Sequence, residues 1–145
     1  MREQRLKSLY PAIYMVPNKK LNFVVIDDSK LDCFIAEKII RNTGKCESIR
    51  SFLQAHDALD HIAANPVDDQ SHTILLVDIQ MPIMNGFEFV EAFEKLPPEI
   101  TSNYTVYIIS SSINEADLNK VHNYRSVKQF LNKPLTSNNL SVLLG

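Results

Sequence analysis

Acidic, hydroxyl and amino side chains follow the apolar runs of this sequence, at the points where buried strands would end. Asp27 and Asp28 come directly after the run NFVVI at 22–26, and Asp78 comes directly after TILLV at 73–77. Ser110 and Lys133 follow two later runs. In an open parallel sheet the carboxyl ends of the strands meet at one edge, where ligands bind. The sequence therefore predicts one site with three carboxylates, a hydroxyl and an ammonium group.

These residue types favour phosphoryl chemistry with a divalent cation. Three carboxylates in one site repel one another unless a cation lies among them, and Mg²⁺ prefers one or two carboxylates with waters. An Asp carboxylate beside such an ion can attack phosphorus, while the metal and a lysine neutralise the charge on the phosphoryl oxygens. A hydroxyl can then donate a hydrogen bond to the new phosphoryl group.

The elements that would position these residues alternate between strands and helices. From Leu21 onward, short β-branched runs alternate with segments of helical period, which is typical of a parallel sheet with crossover helices. The strands are predicted at 22–26, 46–50, 73–77, 104–109 and 127–131. This α/β pattern indicates one domain over residues 21–145, preceded by a basic tail at 1–20.

Helix signals separate the strands. Ser29 is predicted to cap a first helix that runs to about residue 43 and stops at Gly44, with an apolar stripe of Leu31, Ile35 and Ile39 and with Ile40 alongside. A second helix is predicted from Phe52 to Ala64, with Leu53, Ala58, Leu59 and Ile62 facing inward. A third opens after Asn85-Gly86 and is closed by two prolines at 97–98, and two more are predicted at 114–124 and 137–144.

Composition and charge exclude several classes of protein. The chain is 45% hydrophobic and 22% charged, and its apolar runs are too short to span a bilayer. The formal net charge of −2 disfavours binding to nucleic acid. Cys33 and Cys46 have no metal-binding spacing, so we expect buried free thiols in a reducing cytoplasm. None of the four histidines is expected at the site.

Four motifs carry a resemblance to a known family. The segments VVIDDS, LLVDIQMPIMNGFEF, YIISSS and FLNKPLT are similar to those of the receiver domains of two-component response regulators, and the resemblance extends over about 21–144. Each motif alone is weak, but four of them in order at successive strand ends are specific. The resemblance implies a flavodoxin-like, doubly wound sheet of five parallel strands in the order 2-1-3-4-5, flanked by helices.

The resemblance also implies a role for each acid. Asp78 would be the phosphoacceptor. Asp28 would be a direct Mg²⁺ ligand and Asp27 a ligand through water, while the backbone carbonyl of Gln80 would complete the protein ligands.

Further residues receive roles in the same way. Ser110 and Lys133 would contact the phosphoryl oxygens, and Phe130 would change rotamer as Ser110 moves toward the phosphoryl group. The Lys133–Pro134 peptide bond would be cis.

The function expected is that of a stand-alone, single-domain response regulator. It would take a phosphoryl group from a histidine kinase or a histidine phosphotransfer protein and act by binding an unidentified downstream protein, as a monomer or weak dimer. No nucleic acid or membrane partner is expected. Such a domain is a switch that catalyses only its own phosphorylation and dephosphorylation.

Three alternatives remain open from the sequence. A phosphate sink would use the same chemistry without an output partner. A Mg²⁺-dependent aspartyl-phosphate phosphatase generally needs a second acid two residues after the nucleophile, where this chain has Gln80. An inactive scaffold would usually have lost the acceptor or the acid pair, and both are present here.

Overall fold

Five parallel strands form the centre of the structure, a computed structural model that describes residues 20–65, 70–112 and 114–144. The strands pair in the order β2-β1-β3-β4-β5, so the predicted sheet order is confirmed. Their bounds are β1 Lys20–Ile26, β2 Cys46–Phe52, β3 Ser71–Asp78, β4 Tyr104–Ser110 and β5 Val127–Asn132. The predicted tail lies outside the described residues except for Lys20, the first residue of β1.

Helices connect the strands and cover both faces of the sheet. They are α1 Lys30–Asn42, α2 Ala55–Ala64, α3 Gly86–Glu94, the single turn α4 Pro98–Thr101, α5 Glu115–Val121 and α6 Ser137–Leu144. The helix predicted at 114–124 is shorter in the structure. The two prolines at 97–98 follow α3 and lie at the start of α4, because proline fits the first turn of a helix. No helix among the described residues is long and apolar enough to cross a membrane.

Burial on both faces explains why the central strands are apolar at consecutive positions. Successive side chains of a strand point to opposite faces. Phe23 and Val25 of β1 pack on the face covered by α1 and α6, with Cys33, Ala36, Ile40 and Leu140. Val24 and Ile26 pack on the other face, with residues of α2, α3 and α5 such as Ala58, Phe89 and Val121. The strand ends are therefore fixed by packing on two sides.

The predicted stripe of α1 is wrong at Leu31 and Ile35, whereas Ile40 is buried and Ile39 is partly buried against the core. Leu31 is 67% exposed and Ile35 is 38% exposed, whereas Cys33, Ala36 and Ile40 are buried. The helix carries more apolar residues than one face can bury, so periodicity allows two stripes. The small side chains of Cys33 and Ala36 let the helix lie close to the sheet, and the larger residues remain outside.

The start of the second helix is also corrected. Phe52 is the last residue of β2 and pairs with Ile26, and the backbone N–H of Asp27 donates to the Phe52 carbonyl at 3.0 Å. Helix α2 begins only at Ala55, which leaves Leu53 in the connection and 39% exposed. Pairing with β1 thus overrides the helical pattern of this segment.

Two glycines play different structural roles. Gly44 follows α1 with φ +71°, and a Cβ there would meet open space. Gly86 opens α3 under the cap of Asn85, and a Cβ there would lie 2.5 Å from the Asp78 carbonyl oxygen. The backbone of α3 therefore approaches the end of β3 as closely as only glycine allows.

We predict that Gly86→Ala lowers the free energy of unfolding by ~3 kcal/mol, because the new methyl group collides with backbone that cannot move aside. The matched variant Gly44→Ala should cost only about 1 kcal/mol, the strain of a left-handed alanine in open space. Urea denaturation of both variants measures the difference. Equal losses would contradict the close approach at Gly86.

Candidate functional site

Three carboxylates meet at the carboxyl edge of the sheet. Asp27 follows β1 and Asp78 ends β3, and Ile26 pairs with Val77 across the two strands, so this register places the acids side by side. Asp27 and Asp78 are buried while Asp28 is exposed, and one carboxylate oxygen from each lies within 4.8 Å of the others. Such a set offers hard oxygen ligands to a divalent cation, with one side open to solvent.

Lys133 brings a positive charge into this group. Its Nζ lies 2.6 Å from Asp27 Oδ2 and 3.5 Å from Asp78 Oδ1. The Lys133 backbone N–H donates to the carbonyl of Ser110 at 2.9 Å, and the Lys133–Pro134 bond is cis. Burial disfavours the charged form of Lys133. The neighbouring carboxylates stabilise that form more strongly and hold the pKa of Lys133 above its usual range.

The positive charge of Lys133 does not balance the negative charges of the three carboxylates. Burial, and next the negative charge of Asp27, raise the pKa of Asp78 to about 6, although Lys133 acts in the opposite direction. A carboxylate with a raised pKa is one whose charged form is incompletely compensated. The site therefore retains an excess of negative charge that a bound cation would relieve.

The loop after β3 shapes one wall of the site. Gln80 is exposed, two residues beyond Asp78, and Met81 is buried. The loop returns to the strand end through the Gly86 N–H, which donates to the Ile79 carbonyl at 2.9 Å. At its tip Ile83 is 83% exposed with φ +72°, an unfavourable conformation for a β-branched residue.

Ser110 and Phe130 lie on neighbouring strands. Ser110 is buried, and its hydroxyl both donates to the Ser112 carbonyl at 3.0 Å and accepts from the Ser112 N–H at 3.2 Å. Phe130 pairs with Ile108, two residues before Ser110, and is half-buried against the core. In this structure the hydroxyl is thus occupied by the backbone of the following loop.

Sequence reasoning missed one member of the site. Asp32 lies in the first turn of α1, and its Oδ2 accepts from Lys133 Nζ at 2.8 Å. Ser29 caps the helix by accepting from the Asp32 N–H at 3.1 Å, as predicted for Ser29. The sequence feature that could have identified Asp32 is its position four residues after Asp28, at the start of a helix that begins at the same edge of the sheet.

Comparison with known proteins agrees with this arrangement. Residues 23–144 match the model of the response regulator receiver domain. A response regulator receiver protein from Dyadobacter fermentans is 34% identical, with a TM-score of 0.78 over 86% of this chain and 94% of that one. A two-component response regulator from Cytophaga hutchinsonii is 29% identical, with a TM-score of 0.74 over the same shares of the two chains.

A longer relative is similar over nearly all of this chain. The autoinducer 1 sensor kinase/phosphatase LuxN of Vibrio campbellii is 26% identical over 139 residues, which are 90% of this chain and 14% of that protein. The chain thus spans about one seventh of the length of this relative. Because the match to the receiver domain covers 23–144, which is most of the chain and includes Asp27, Asp28 and Asp78, the chain belongs to the response regulator receiver domain family.

Proposed function

We propose that this protein accepts a phosphoryl group from a phosphohistidine onto Asp78, in a reaction that requires Mg²⁺, and signals by binding another protein. The observation that carries the proposal is the buried carboxylate of Asp78 beside both an acid pair and the ammonium group of Lys133. This combination provides a nucleophile, a place for a cation and a fixed positive charge.

The chain's own residues would divide the chemistry as follows. A carboxylate oxygen of Asp78 attacks phosphorus, the O–P bond forms and the P–N bond of the donor phosphohistidine breaks, so that the imidazole leaves with the electron pair and takes up a proton. Lys133 neutralises charge on the phosphoryl oxygens as they approach. Ser110 would leave the Ser112 backbone and donate its hydroxyl to the new phosphoryl group.

The acid group fits a magnesium ion. Asp28, Asp78 and the Gln80 carbonyl would hold it directly and Asp27 through water, with further positions left for water and phosphate. When bound, the ion supplies charge neutralisation to the phosphoryl group. The incomplete compensation of Asp78 supports this assignment, because a second positive charge stabilises its ionised, nucleophilic form.

Exposed apolar residues next to the site support a protein as the phosphoryl donor. Leu31 and Phe34 of α1 are 67% and 60% exposed, and Ile35 lines a cavity together with Lys133 and Pro134. Exposed apolar surface beside a reactive group is typical of a protein-binding site. The partner proposed is a histidine kinase or a histidine phosphotransfer protein, and a relative described as a sensor kinase/phosphatase agrees with that choice.

Free Cys33 and Cys46 are compatible with a reducing cytoplasm.

We expect acetyl phosphate to label the wild-type protein once, only in the presence of Mg²⁺, because attack on phosphorus needs its negative charge neutralised. Asp78→Asn keeps the shape of the side chain but lacks the nucleophile, and its labelling should be lost. Intact-mass spectrometry counts the adduct. Equal labelling of Asp78→Asn would place the acceptor at another residue.

The exposed face of α1 generates a separate expectation. The donor is a histidine kinase that labels the wild type. Phe34→Ala should lower the rate of phosphotransfer from this kinase roughly tenfold, since a large side chain is lost from the contact. Labelling by acetyl phosphate should stay unchanged. Val142→Ala, on α6, removes another exposed apolar side chain and serves as the control. Equal slowing in both variants would contradict a donor surface on α1.

Ser110 is expected to couple the site to the sheet edge beside β5. In Ser110→Ala, Asp78 should still accept phosphate, but the NMR shift changes that phosphorylation causes around Phe130 should shrink at least by about half, because the charge-assisted hydrogen bond of the hydroxyl is lost. Two-dimensional spectra with and without acetyl phosphate provide the measurement. Unchanged shifts around Phe130 would show that the signal takes another route.

A further inference from the structure

Asp32 shares Lys133 with the other acids of the site. Nζ lies 2.6 Å from Asp27 Oδ2, 2.8 Å from Asp32 Oδ2 and 3.5 Å from Asp78 Oδ1. A lysine ammonium has three hydrogens to donate. Asp32 Oδ2 accepts a hydrogen bond from Nζ, whereas the contact with the buried Asp27 Oδ2 is an ion pair without hydrogen-bond geometry. The two short contacts hold Nζ closer to Asp27 and Asp32 than to Asp78.

A phosphoryl group on Asp78 needs one of these hydrogens. The Asp27 carboxylate is fully buried, and leaving a buried charge unpaired is costly. The Asp32 side chain is 40% exposed, so water can replace the lysine at little cost. Asp32 is thus the partner that Lys133 can give up when it turns toward a phosphoryl oxygen.

The surroundings allow that movement. Asp32 and Lys133 line a cavity of about 200 Å³ together with Ile35 and Pro134. Open volume beside both side chains lets either change rotamer without repacking the core. The backbone of Asp32 stays fixed by the Ser29 cap, so only the side-chain contact has to break.

We propose that Asp32 is a positioning residue that competes with Asp78 for Lys133 and so restrains phosphorylation of this domain. The inference rests on the function proposed above. Asp32 acts in two ways, since it withholds the ammonium group from the phosphoryl oxygens and adds a negative charge that an anionic donor must approach. Because the contact is partly exposed, the restraint is modest and releasable.

The test compares rates of Asp78 labelling by acetyl phosphate. Asp32→Asn keeps the size of the side chain and removes its charge, so labelling should become about fivefold faster. Each variant is measured at its own saturating Mg²⁺ concentration, because loss of a nearby carboxylate also weakens cation binding. Asp32→Glu restores the charge and should return the rate to within about twofold of the wild type.

Glu37→Gln provides the matched control. It removes one negative charge from the same helix, five residues and about 7.5 Å farther along its axis. Its rate should stay close to that of the wild type, because the carboxylates in contact with Lys133 are those of Asp27, Asp32 and Asp78 and not that of Glu37. An increase in Glu37→Gln as large as that in Asp32→Asn would overturn the proposal, since the effect would then be one of net charge alone.

A second readout follows the lysine itself. The ¹⁵N signal of the Lys133 ammonium group should show hydrogens protected from exchange in the wild type and faster exchange in Asp32→Asn, with an unchanged melting temperature. A rate in Asp32→Asn equal to or below that of wild type sinks this inference while leaving Asp78 as the acceptor. Failure of the wild type to be labelled at Asp78 overturns both proposals together.

Discussion

Uncompensated negative charge at the carboxyl edge of the sheet is the constraint on which the rest of this structure depends. Asp27 and Asp78 are buried within a few ångströms of each other, and the ammonium group of Lys133 contacts both. Such a group costs stability, because buried like charges repel. Ionisable groups with a raised pKa are frequent at functional sites, and the raised pKa of Asp78 therefore fits the role of nucleophile proposed for it.

The scaffold tolerates this cost because packing on both faces holds the strand ends in place. Central strands that are buried on two sides cannot slide, since a shift of one residue would place every core side chain in a space shaped for another. Gly86 adds a second restraint, because α3 approaches the end of β3 to a distance that excludes a side chain. The acids are therefore fixed by elements that do not take part in the chemistry.

Side chains at the edge of the site retain the freedom that the proposed switch requires. The Ser110 hydroxyl is held by hydrogen bonds to the Ser112 backbone, and Lys133 is held partly by half-exposed Asp32. In the proposed reaction each contact would be exchanged for one with a phosphoryl oxygen. A phosphoryl group shifts such a balance only by the difference between the old and the new contacts, so weak initial contacts make the switch responsive.

The sequence by itself determined the central strands and the polar residues that follow them, because a strand buried on two sides is apolar at consecutive positions and parallel strands bring their ends to one edge. The order of the strands came from the resemblance to the receiver family, and the structure confirms it. It did not determine which face of α1 is buried, since Leu31 and Ala36 lie on two stripes that periodicity allows equally. Nor did it show Asp32 as a partner of Lys133, 101 residues away. Contacts of that kind depend on how a helix is rotated against the sheet, and only the packing of small side chains such as Cys33 and Ala36 decides that rotation.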